Sequence, residues 1–153
     1  MFRLTRPTAR EIAAFLDAQR DAPFTYAAIG ATRDGRAPAG WTVDHTRILL
    51  GHGAATFARA AAALRAWRMT ALGWTAIHPA DAPLVAGTAV AMCVAHHGFW
   101  SLNACRVVYA VDEDVDGVRR VAFAYGTLPA HAARGEERFA VEWHRDGDDA
   151  VWY

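Results

Sequence analysis

Glu136-Glu137-Arg138-Phe139-Ala140-Val141-Glu142-Trp143-His144 decides the fold class, because its large apolar residues recur at every second position. Phe139, Val141 and Trp143 share one parity, and Glu137 shares it with them. A strand with one oily face has that period, and a helix does not. The alternation holds from Trp74 onward and gives candidate strands at residues 74–78, 84–95, 99–111, 118–126, 136–144 and 150–153. Pro79-Ala80-Asp81, the stretch 112–117 and Asp146-Gly147 connect them, the last being a hairpin dipeptide. Links this short join only antiparallel neighbours. The expectation is an α+β fold in one domain spanning residues 1–153, a curved antiparallel meander packed on helices.

Upstream, Thr8-Ala9-Arg10-Glu11 has the form of a capping box, a cap being worth ~1 kcal/mol. Ile12, Phe15, Leu16 and Gln19 then recur at helical spacing until Asp21-Ala22-Pro23. Residues 24–31 and 41–50 suggest two strands around a Gly/Pro-punctuated loop. Gly51-His52-Gly53 breaks the chain ahead of a helix over 54–69, whose stripe of Phe57, Ala60, Ala61, Leu64 and Trp67 should lie on the sheet.

Composition narrows the function classes. The formal charge is zero over 153 residues, which is not the basic surplus of a nucleic-acid binder. No run of ~18 apolar residues is present to span a bilayer. The first ten residues hold three Arg and no apolar core of a signal peptide, so a cytoplasmic location is expected. Cys93 and Cys105 lack metal or redox spacing and are expected as buried free thiols. The seven histidines show neither HExxH nor HxH, so no metal is expected. Gly51-His52-Gly53 lacks the further glycine and the Lys-Ser/Thr pair of a phosphate cradle, and no cofactor is expected. Ser101 is the single serine and lies outside any GxSxG motif.

The stretch from Phe123 to Phe139 carries the densest polar chemistry: Tyr125, Pro129, His131, Glu136 and Glu137. Adjacent carboxylates in a strand face opposite ways and cannot act as a dyad on one bond. By parity Glu137 is the one that joins the apolar face, where an unpaired carboxylate is costly. Its partner is sought among Arg106, Arg138, His131 and Tyr125. Two readings stand side by side, a structural ion pair at the end of the sheet and a polar anchor in a ligand cavity. Trp67, Tyr109, Tyr125, His131, Glu137 and Arg106 are the candidate lining residues, and core filling is the default reading of the aromatic side chains.

Phe24-Thr-Tyr, Ile29-Gly-Ala-Thr, Pro38-Ala-Gly-Trp, Asp44-His-Thr-Arg, Leu50-Gly-His-Gly, Asn103-Ala-Cys-Arg-Val-Val-Tyr and, above all, Phe123-Ala-Tyr-Gly-Thr-Leu-Pro-Ala-His with Gly135-Glu-Glu-Arg-Phe resemble the DUF1990 (UPF0548) family of bacteria and plants. The likeness spans residues 24–153. That family has no established function. Its arrangement is similar to the helix-grip (START/Bet v 1-like) architecture, whose members hold apolar ligands, a step of analogy alone. The resemblance implies a further C-terminal helix, which is missing from this chain because it stops at Val151-Trp152-Tyr153.

Three expectations about function follow. The first is a non-enzymatic domain enclosing a small apolar molecule between the sheet and the helix over 54–69. The second is a cyclase- or hydrolase-like enzyme on an apolar substrate, with Glu137 or His131 as acid or base and Arg106 positioning it. The third is an interaction module that forms a homodimer through an exposed edge at 150–153.

Overall fold

The computed structural model describes residues 2–33, 35 and 38–153, with the backbone alone at Phe2. In chain order the elements are β1 (Phe2–Arg3), α1 (Ala9–Gln19), a 3₁₀ turn (Ala31–Arg33), β2 (Leu49–His52), α2 (Gly53–Arg65) and a second 3₁₀ turn (Arg68–Thr70). The strands β3 (Thr75–His78), β4 (Ala89–His96), β5 (Phe99–Val115), β6 (Val118–Thr127), β7 (Glu136–His144) and β8 (Ala150–Trp152) follow. All pairings are antiparallel, in the order β2-β8-β7-β6-β5-β4-β3, with β1 beside β5. The sheet is curved, as the α+β reading required. Among the described residues no helix is long and apolar enough to cross a membrane.

The alternation that defines the strands also sorts their side chains onto two faces. On one, α2 lays Phe57, Ala61 and Leu64 over Val107, Val121, Phe123, Val141 and Val151, all buried. Each fully buried side chain of this size contributes ~1.5–3 kcal/mol. The opposite face receives α1, whose Ile12 packs on Ala91, Cys93 and Leu102. The capping box forms as written, with the Thr8 hydroxyl accepting from the Glu11 N–H and the Thr8 N–H donating to the Glu11 carboxylate.

Four boundaries differ from the sequence pattern. Residues 24–31 are not a strand: Thr25 N–H donates to the Thr127 carbonyl, but Gly30 and Thr32 donate theirs to a carboxylate instead of a neighbouring strand. Of 41–50 only the end pairs, at Ile48 with Tyr153 and then through β2. The helix over 54–69 stops at Arg65, because Trp67 turns left-handed at φ 55° to drive its ring into the core. Residues 84–88 form turns ahead of β4, whereas β5 runs on through Val115 and reverses at Asp116-Gly117.

A fifth correction concerns the edge. The stretch 150–153 is covered on its outer side by β2, so β2 and β3 are the outer strands of the described sheet. Leu49 and Leu50 are exposed on β2, where a register shift between Leu49 and Gly51 interrupts the ladder. Such a bulge discourages pairing with another chain.

Candidate functional site

Antiparallel register puts directly opposed residues on the same face, so the rows of the sheet locate every candidate. Val107, Tyr125 and Glu137 form one row on the α2 face. The Tyr125 hydroxyl donates to Glu137 Oε2 at 2.5 Å, which settles which of the four proposed partners the carboxylate uses. Phe139 follows two residues on, with its ring 5.5 Å from Phe123, 5.6 Å from Tyr125 and 6.5 Å from Tyr153. Glu137 is exposed, Phe139 and Tyr153 are half-buried, and Tyr125 is buried.

This cluster is electrostatically linked. Burial pushes the Cys105 thiol up to about 12, and the nearby Glu137 charge adds to it. Burial and then Glu137 likewise raise Tyr153 to about 12 and hold Tyr125 well above the phenol range. Cys93 is also a buried free thiol shifted upward by burial. Neither sulfur is disposed to act as a nucleophile.

Arg106 and Tyr109 lie elsewhere. Arg106 opposes Gly126 and Ala89, in the row that ends at Glu136 on the α1 face. Its guanidinium donates to the carbonyls of Gln19, Arg20 and Ala22, satisfying the C-terminal end of α1 as a cation there should. Tyr109 opposes Ala124 on that same face and hydrogen-bonds Thr32 Oγ1 at 2.8 Å. Trp67 is on the α2 face but only 2% exposed, with its indole N–H donating to the Ala82 carbonyl at 2.8 Å. His131 sits in the loop after β6, where its Nδ1 accepts from the Ala133 N–H at 2.8 Å. Arg106 and Glu137 therefore lie on opposite faces of the sheet, so Arg106 does not position Glu137.

Glu136, which strand parity set aside in favour of Glu137, is the other polar centre. Its carboxylate accepts from Tyr26 OH at 2.8 Å, Gly30 N at 2.7 Å, Thr32 N at 3.1 Å and Thr32 Oγ1 at 2.5 Å. It clamps residues 24–33 onto the α1 face, with Trp41 edge-on to Tyr26 at 6.0 Å. The only sequence signal was Gly30, two residues before Thr32, whose φ of 85° suits a turn that aims both N–H groups at the carboxylate. A separate cleft of about 410 Å³ opens beside the end of α2, lined in part by Arg65, Asp81, Leu84 and Asp112. Arg65 and Arg119 both pair with Asp112 there. Among the described residues no group of His, Cys, Asp and Glu could hold a metal ion.

Two histidines make folding pH-dependent. Burial lowers His131, and burial followed by the Arg6 charge lowers His78, whose buried Nε2 has no hydrogen-bond partner among the described residues. Folded-state values below the unfolded one mean that the unfolded chain takes up protons first, so stability is kept above about pH 6.5 and is lost as pH falls below it. The urea midpoint should drop between about pH 7 and 5, and His78→Asn with His131→Asn should flatten that slope. An unchanged slope in the double variant would remove the two rings as its cause.

A family model described as a domain of unknown function, DUF1990, matches residues 25–153. The chain belongs to DUF1990. A UPF0548 protein of Deinococcus radiodurans is 40% identical over 165 residues, covering 100% of this chain and 79% of that one. A UPF0548 protein of Dictyostelium discoideum is 32% identical over 160 residues, covering 98% and 74%. A third, from Arabidopsis thaliana, is 32% identical over 117 residues, covering 74% and 55%. No solved structure matches. The DUF1990 match takes in Tyr26, Tyr125, Glu136, Glu137 and Tyr153, so both carboxylate centres lie inside the family's domain.

Proposed function

We propose that the chain binds a small apolar molecule on the α2 face of its sheet, over Phe139 and Tyr153, with the Tyr125–Glu137 pair as the polar anchor. The observation that supports this reading is the pairing of half-buried aromatic rings with an exposed carboxylate whose geometry Tyr125 fixes. Aromatic walls with a few placed polar groups are the usual make-up of a small-molecule site. The space directly beneath α2 is not the site, because Phe57, Ala61, Leu64 and Trp67 fill it. Trp67 instead backs the site, stacked at 6.3 Å on Tyr125.

Nile red, a neutral apolar dye, tests the reading. Its emission should rise and shift to the blue with the native protein, and Phe139→Asp or Tyr153→Asp should abolish that change while leaving far-UV circular dichroism intact. A dye that ignores both substitutions, or never binds, would count against the face. Native mass spectrometry of protein from its own host then looks for the occupant.

A further inference from the structure

The carboxylates of β5 and β7 are not alike. Asp112 pairs with Arg65 and Arg119, Glu113 with Arg120, Asp114 with Arg145, and Glu142 with Arg120 and Arg47. Glu136 pairs with no cation among the described residues but uses both oxygens on four neutral donors. Glu137 accepts one hydrogen bond, on Oε2 from Tyr125, and has no ion pair among the described residues. Its second oxygen has no hydrogen-bond partner among the described residues, and Glu137 shares its face of the sheet with the Phe139 and Tyr153 rings.

That combination selects a charge. An apolar body lying across the rings strips water from Glu137, and a neutral body offers nothing in return, so the desolvation counts against binding. A cationic head offsets the loss through the carboxylate and gains further from the electron-rich ring faces. We infer that the occupant of this face is an organic ammonium, a protonated amine or quaternary ammonium carried on an apolar body. The inference rests on the apolar-site reading above and adds the chemical class of its ligand.

Phenylpropylamine and phenylpropanol share one apolar body and differ in charge near neutral pH. Calorimetric titration should give the amine about tenfold tighter binding than the alcohol, the size of a well-placed cation contact. Glu137→Gln should erase that preference by weakening the amine alone. Glu137→Lys should transfer the preference to phenylpropanoate. Equal affinities in the native protein, or an amine preference that survives Glu137→Gln, would overturn the ammonium inference while leaving the apolar site standing. If none of the three compounds binds, both fall. Glu137 is exposed, so these variants should retain the native melting transition, and a variant that does not would place Glu137 in the structural framework and refute its availability to a ligand.

Discussion

Trp67→Ala is expected to lower the free energy of unfolding by about 4 kcal/mol, the cost of emptying a core position of this size. Trp67 is the contact through which the end of α2 grips the sheet. Its ring stands edge-on to Phe123 at 4.8 Å and lies along Tyr125 at 6.3 Å, and its N–H satisfies the Ala82 carbonyl. Alanine leaves a cavity over Phe123 and an unpaired carbonyl. Trp67→Phe should recover about half of the loss, since it fills most of the volume but restores no donor. The backbone supplies an internal check. With φ at 55°, the residue occupies a region that costs an L-residue ~1–2 kcal/mol and glycine little, so Trp67→Gly should be no less stable than Trp67→Ala, the reverse of the order inside a helix. Urea unfolding followed by circular dichroism measures all three. A loss below about 1 kcal/mol for Trp67→Ala would show that the ring is not the packing contact described.

The downstream sheet was legible because its strands pair with sequence neighbours. Parity sets which face each residue joins wherever the ladder is regular, and the register shift between Val107 and Tyr109, which turns Tyr109 to the α1 face, is the exception. Hence Glu137 and Phe139 were placed on the apolar face correctly, and Tyr125 was already among the possible partners of Glu137. What parity could not supply is the relation of one strand to a distant one. Arg106 looked available to Glu137 because register was unknown, and the single-residue offset that puts it across the sheet is visible only in the pairing of Gly126 with Glu136. The strand expected over residues 24–31 is absent for a different reason. Its alternation suited a strand, but a carboxylate about a hundred residues downstream (Gly30 to Glu136 is a separation of 106) captures its N–H groups, a long-range bond that no local pattern encodes. The helix end failed at Trp67, where tertiary packing outweighs helix propensity.

The Glu136 clamp leads to the second large effect, at a residue with no side chain. A Cβ on Gly126 would overlap the Tyr26 hydroxyl and stand 2.8 Å from Tyr26 Cζ and 2.9 Å from Phe24 Cδ1. The glycine is required there for closeness, since the hydroxyl end of Tyr26 and an edge of the Phe24 ring occupy the place where a methyl group would stand. Gly126→Ala is therefore expected to cost about 3 kcal/mol, by displacing both rings and loosening the bond from Tyr26 to Glu136. Tyr26→Phe, which removes only that donor, should cost about 1 kcal/mol. The two sites share one contact, so their effects should not add. In a Tyr26→Ala background the phenol is gone and only the edge of Phe24 still meets the added methyl, so Gly126→Ala should then cost less than half of its value in the native chain. Thermal and urea unfolding of the four proteins in this cycle provide the comparison. Strictly additive losses would mean that residues 24–33 do not rest on β6 at Gly126, and that Glu136 holds them by hydrogen bonds alone.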